Sequence, residues 1–72
     1  MSIELKNLSI VIPCFNEEEV LPNTYIELKS VINSLSNIKK HQLVFVNNGS
    51  TDKTLEVLIN LKQKDSNIKI ID

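Results

Sequence analysis

Between Leu8 and Glu19 the chain turns abruptly from apolar to acidic, reading Leu8-Ser-Ile-Val-Ile-Pro-Cys-Phe-Asn-Glu-Glu-Glu19. Leu8 to Ile12 is too short for a surface helix and is rich in β-branched residues, so it predicts a buried strand. Pro13 has no N–H to continue a ladder, and the backbone is expected to leave the sheet there. Cys14, Phe15, Asn16 and Glu17 then fall past the carboxyl end of a strand, where open α/β sheets hold their ligands.

The remaining pattern repeats this unit. Leu21, Tyr25, Leu28, Ile32 and Leu35, widened by Val31, recur at helical spacing, with Pro22 suited to the first turn and Glu17 to Glu19 near the positive end of the dipole. This helix is expected to end near Asn37. Ser36, Asn37 and Lys39-Lys40 read as a polar connection to a second strand, Leu43 to Val46, which Asn47-Asn48-Gly49-Ser50-Thr51-Asp52 interrupts. Gly49 is the only glycine and calls for a positive φ or a close backbone approach. A second helix, capped by Ser50 or Thr51 with Asp52 in its first turn, buries Leu55, Leu58, Ile59 and Leu61 and runs to about Lys64. Asp65-Ser66-Asn67 is a turn, and Ile68 to Ile71 a third strand. Met1 to Asn7 alternates weakly and reads as a solvated extension of the first strand. The order βαβαβ, with apolar strands joined by helices, predicts an α/β fold with a parallel sheet and right-handed crossovers.

Seventy-two residues make at most one domain, and a chain so short buries only about 60% of its unfolded surface, so a piece of something larger is expected. Eight basic and nine acidic residues, scattered to a net charge of −1, supply no stripe for nucleic acid. A single cysteine cannot form an internal disulfide, and no apolar run of ~20 residues is present. The plain reading is a cytoplasmic segment, with any membrane attachment of a parent protein outside it.

Adjacent parallel strands would set the loops after the first and second strands side by side over one crevice. Carboxylates, amides, an aromatic ring and a helix N-terminus together suit a nucleoside-like ligand. Caps and turns of ordinary βα loops would use the same residues, and both readings stand on this argument. Cys14 has no neighbour in sequence to lower its pKa as a nucleophile needs. His41 falls at the opposite end of the sheet and reads as a surface histidine, the glutamate triplet as helix-dipole partners rather than metal ligands, and Asp52 as a cap.

Ile10-Val-Ile-Pro-Cys-Phe-Asn-Glu-Glu18, followed by Val44-Phe-Val-Asn-Asn-Gly-Ser-Thr-Asp52, resembles the opening of a family 2 glycosyltransferase of the GT-A fold. The likeness spans nearly the whole chain and is greatest to the polyprenyl-phosphate branch, the dolichol-phosphate mannose synthase and bactoprenol glucosyltransferase type. It implies that residues 1–72 are the N-terminal, nucleotide-binding half of a Rossmann-like glycosyltransferase domain. It also implies the strand order 3-2-1. Carried over by residue, Pro13, Phe15 and Glu17 would line base and ribose, and Val46 and Asn48 would close the pocket. Phe15 stands where the family usually has tyrosine, and Asn48 where an aspartate is expected. An amide both accepts and donates, which fits the adjacent N–H and carbonyl of uracil better than the two neighbouring donors of guanine, so a UDP-sugar is favoured.

The resemblance further implies a sugar transferase acting on polyprenyl phosphate, or on a saccharide, as acceptor. A divalent metal, Mg or Mn, is expected for the parent. The family's Asp-x-Asp metal motif and catalytic region do not occur here, so no catalytic or metal-ligating residue is assigned and these residues alone are expected to be inactive. A non-catalytic nucleotide-binding or assembly module is the alternative, supported by the absent pocket aspartate. Strand residues pointing both ways are apolar while both helices would cover one face, which predicts self-association as a homo-oligomer.

Overall fold

The computed structural model describes residues 6–72, so most of the lead-in read from Met1 to Asn7 lies outside the described residues. Its five elements are β1 (Lys6–Cys14), α1 (Leu21–Ser34), β2 (Ile38–Asn47), α2 (Thr54–Lys64) and β3 (Ile68–Ile71). The strands form one parallel sheet in the order β1-β2-β3, with Ile10 opposite Leu43 and Leu43 opposite Ile68. This is the expected βαβαβ arrangement, with β2 in the centre.

The strands step in one direction, β1 to β2 to β3, which for crossovers of the usual hand puts both helices on one face. The core records this. Cys14, Leu43, Phe45 and Ile68 from the sheet are buried with Leu21 and Ile32 of α1 and Leu58 of α2, and Leu8, Ile10, Ile12 and Ile70 pack around them. Period-2 alternation sends the intervening residues to the other face. There Val11 is 63% exposed and Ile71 45%, whereas Val44 is only 8% exposed because it sits between them on the central strand, opposite Val11 and Lys69.

β1 does not end at Pro13 as expected but continues through Cys14, with Pro13 opposite Val46. The Cys14 carbonyl accepts the Asn48 N–H at 2.9 Å, so the alternating ladder turns the Pro13 nitrogen away from β2, towards an edge where no donor is needed. Cys14, read as a residue beyond the strand, is therefore in the core at 1% exposure. β2 begins at Ile38, and Lys39 and Lys40 belong to it with exposed side chains rather than to the connection. α1 stops at Ser34, three residues short of Asn37, because Leu35 is already extended.

The helix stripes are narrower than periodicity suggests. In α1, Leu21 and Ile32 are buried with Tyr25 and Leu28 beside them, but Val31 is 56% exposed and Leu35, just past the helix, 43%. In α2, Val57, Leu58 and Leu61 face the core, Leu55 is half-buried, and Ile59 is 44% exposed. A sheet of three strands covers only the centre of each helix face, which leaves the flanking apolar positions in water.

Candidate functional site

The β1–α1 loop and the β2–α2 loop meet at the carboxyl ends of their strands, and each supplies what the other's backbone lacks. Three consecutive N–H groups of the first loop donate to side chains of the second loop and of Thr54, the first residue of α2. Asn16 N–H reaches Ser50 Oγ at 3.0 Å, Glu17 N–H reaches Thr54 Oγ1 at 2.8 Å, and Glu18 N–H reaches Asp52 Oδ2 at 3.3 Å. In return, Asn16 Oδ1 accepts the N–H groups of Thr51 at 2.9 Å and Asp52 at 3.3 Å. The lacing joins two loops into one ledge.

Asp52 works at two places. Its Oδ1 accepts the Thr54 N–H at 2.9 Å and the Thr54 hydroxyl, starting α2, while its Oδ2 holds Glu18. Asp52 thus steadies the helix start as expected, but from before the first turn in which it was placed, and neither Ser50 nor Thr51 caps α2, whose N-cap position is Lys53. Partial desolvation pushes the Asp52 carboxyl up, but the hydrogen bonds from Thr54 and Glu18 outweigh it and hold it below the usual range. Thr54 is fully buried, and Asn47, at 8% exposure, accepts the Ser50 hydroxyl at 2.6 Å and donates to Asp72 Oδ1 at 2.8 Å.

Gly49 has a φ of 71°, and a side chain there would meet nothing within 4 Å. Of the two reasons considered for this glycine, backbone conformation is therefore the one that applies. Asn16, with a φ of 51°, shares that region.

Of the five residues assigned to a nucleoside, Phe15 is 59% exposed, and Pro13 and Asn48 are also exposed. Val46 and Glu17 are half-buried. Pro13 and Val46 are Cα partners on the face away from the helices, and the Asn48 N–H bond to Cys14 sets Asn48 against the end of β1. The five thus gather at one corner of the sheet. None of the hydrogen bonds joining the loops uses the Asn48 side chain. An adjoining cleft of about 230 Å³ is lined by Asn16 to Val20 and Asp52 and includes only Glu17 of the five.

Glu17 to Glu19 precede α1 rather than occupying its first turn, and the Glu17 carbonyl accepts from Val20 and Leu21. Among the described residues no three acidic, cysteine or histidine side chains come together as a metal site. The residues present do not fit a divalent ion, and no step is assigned to one. Burial, with the Glu17 charge second, raises the Cys14 thiol pKa, the opposite of what a nucleophile needs.

His41 is half-buried at the other end of the sheet, and it is not the free surface residue its position suggests. Lys29 Nζ donates to its Nε2 at 2.9 Å and Asn67 Nδ2 lies at 3.3 Å. Lys29 also pairs with Asp65 at 3.1 Å, and Tyr25 donates to the same Asp65 oxygen at 2.7 Å. That bond, with burial and the Asp65 charge, pushes the Tyr25 pKa up to about 12. Desolvation would raise the Asp65 carboxyl, but hydrogen bonds from Tyr25, the Asn67 N–H and Lys29 lower it.

Sequence reading gave Thr54 no role, took Ser50 only as a candidate helix cap and placed Asn16 only among the residues past β1, so the bonds all three make between the loops were missed. The available signal was asparagine directly after a strand, since it tolerates a positive φ and carries its own acceptor. Their partners lie 34 to 37 residues away, which local pattern does not reveal.

Residues 9–72 match glycosyl transferase family 2. The chain is 42% identical over 64 residues to the glycosyltransferase YkcC of Bacillus subtilis, covering 89% of this chain and 19% of that protein. It is 37% identical over 68 residues to an undecaprenyl-phosphate 4-deoxy-4-formamido-L-arabinose transferase of Photorhabdus laumondii, with coverages of 93% and 20%. A dolichyl-phosphate beta-glucosyltransferase of Trichomonas vaginalis is also 37% identical over 68 residues, with coverages of 90% and 21%. The chain spans about a fifth of the length of these relatives, and two of them carry the polyprenyl-phosphate names that its motifs resemble. With its paired strand-end motifs on adjacent parallel strands and a match running from Ser9 to Asp72, the chain belongs to glycosyl transferase family 2.

Proposed function

We propose that residues 1–72 form the N-terminal, nucleoside-binding part of a glycosyltransferase that moves a sugar from a nucleotide donor to polyprenyl phosphate. The supporting observation is the division of labour at the carboxyl ends of β1 and β2. Asn16, Asn47, Ser50, Asp52 and Thr54 are spent on holding the loops, while Phe15 and Asn48 stand exposed beside them. An exposed aromatic ring and an unused amide on this ledge have the chemistry of a base site: a flat apolar wall and a paired donor and acceptor. Pro13 and Val46 extend the wall, and the Glu17 carboxylate is suited to ribose hydroxyls.

Asn48 matches the N–H and carbonyl of uracil, so the donor is a UDP-sugar. Calorimetry on the full-length protein tests this. UDP should bind more tightly than GDP, and equal or tighter GDP binding overturns the assignment. Activation of the acceptor and any metal for the diphosphate belong to other parts of the parent, so the 72 residues alone turn over no donor; turnover of UDP-glucose by them would refute this.

The helix-free face supports a second property, self-association of the isolated chain through the exposed Val11 and Ile71, which flank the buried Val44. At roughly 25 cal/mol per Å², covering ~400 Å² of apolar surface is worth on the order of 10 kcal/mol before association costs, comparable to a small domain's stability. Sedimentation of the 72-residue chain at micromolar concentration should show an oligomer, and a compact folded monomer would contradict it.

A further inference from the structure

Asn16 is the only non-glycine residue with a positive φ among the described residues. It stands between Phe15 and Glu17, two of the residues assigned to the nucleoside, and holds the opposite loop through both backbone and side chain. Its N–H donates to Ser50 Oγ at 3.0 Å. Its Oδ1 accepts from the Thr51 N–H at 2.9 Å, the Asp52 N–H at 3.3 Å and the Thr51 hydroxyl at 3.4 Å. Ser50 in turn donates to Asn47, next to Asn48 in sequence. Asn16 alone thus makes four of the contacts that set the aromatic wall on one loop against the amide on the other, beside the Glu17–Thr54, Glu18–Asp52 and Asn48–Cys14 bonds.

We propose that Asn16 is a positioning residue for nucleoside binding, one that keeps the two loops docked so that Phe15 and Asn48 meet the base without rearrangement. The proposal rests on the nucleoside-site reading above. Without the clamp the loops would be competent for only part of the time, and apparent affinity falls by that fraction. Only the acceptor oxygen of the side chain is used in the clamp. Aspartate supplies the same acceptor and also tolerates a positive φ, whereas glycine keeps the backbone conformation and removes the acceptor.

The test is UDP calorimetry and steady-state kinetics on full-length wild-type protein and its Asn16→Gly and Asn16→Asp variants, at high ionic strength to screen the charge aspartate adds. Asn16→Gly should raise the UDP Kd and the donor KM about tenfold, with the loss in donor KM rather than kcat, and Asn16→Asp should stay within about twofold of wild type. Wild-type affinity in Asn16→Gly overturns the proposal, as does an Asn16→Asp variant as weak as Asn16→Gly. A loss confined to binding stoichiometry and kcat, with Kd unchanged, assigns Asn16 to folding alone and also overturns it. Absence of UDP and GDP binding in wild type would overturn the site reading itself, and this inference with it.

Discussion

The two ends of the sheet carry polar clusters of similar size but opposite economy. At the amino ends of β2 and β3, Tyr25, Lys29, His41, Asp65 and Asn67 satisfy one another across α1, β2 and the turn before β3. At the carboxyl ends the loop-to-loop bonds are equally complete, yet Phe15 and the Asn48 amide are left outside them. A closed polar network fastens elements together, and one with residues left over can receive a ligand. Polarity alone does not separate the two, since both consist of ordinary turn and cap residues.

The largest effect that would sharpen this contrast is expected at Thr54. Thr54→Val keeps the shape, removes the bond to Asp52, and leaves the Glu17 N–H without its acceptor, which should cost about 2–3 kcal/mol in denaturant unfolding and weaken UDP binding as well. At the other end, Tyr25→Phe should cost about 1–2 kcal/mol and leave UDP affinity unchanged. A matching loss of nucleotide affinity there would break the distinction between the ends.

The amino-end network also sets a pH signature. Tyr25 titrates at about 12 when folded, above its ordinary value of 10.0, so its contribution is intact below pH 10 and is lost as pH rises towards 12. Asp65 is depressed, so its contribution is present above its ordinary value of 3.8 and is lost as pH falls through the lower folded value. Thermal melts should show both limbs, and Tyr25→Phe should flatten the alkaline one.

Most of the fold was legible because it depends on local apolar periodicity. β3 and the end of α2 fall where the pattern puts them, and the alternation of Leu43 and Phe45 against Val44 and Val46 does assign the two sheet faces. The errors occur where tertiary pairing overrides local signals. Pro13 stays in β1 because its nitrogen faces the edge, and Lys39 and Lys40 join β2 because an edge of the central strand remains available to β1. The placement of Phe15 and Asn48, exposed just past the carboxyl ends of β1 and β2, was legible from position after a strand. The supports beneath them were not, since Asn16 meets Thr51 and Thr54 meets Glu17 only once the strands are paired.

A smaller effect follows at Gly49. Gly49→Ala should cost about 1 kcal/mol from its positive φ, with no steric penalty, since the Cβ enters open space. Asn48→Asp should change stability least, within about 0.5 kcal/mol, because the side chain is exposed and outside the loop bonds. Its effect should fall on ligand choice, narrowing the difference between UDP and GDP in calorimetry; an unchanged ratio would remove Asn48 from base recognition.

The most direct measurement of the contrast is hydrogen–deuterium exchange on the full-length protein with and without saturating UDP. Segments 13–20 and 46–53 should gain protection together, while segments 38–43 and 64–68 should exchange at the same rate in both states. Protection confined to the amino-end segments, or none in the two carboxyl-end loops under conditions where calorimetry shows UDP bound, would contradict the account.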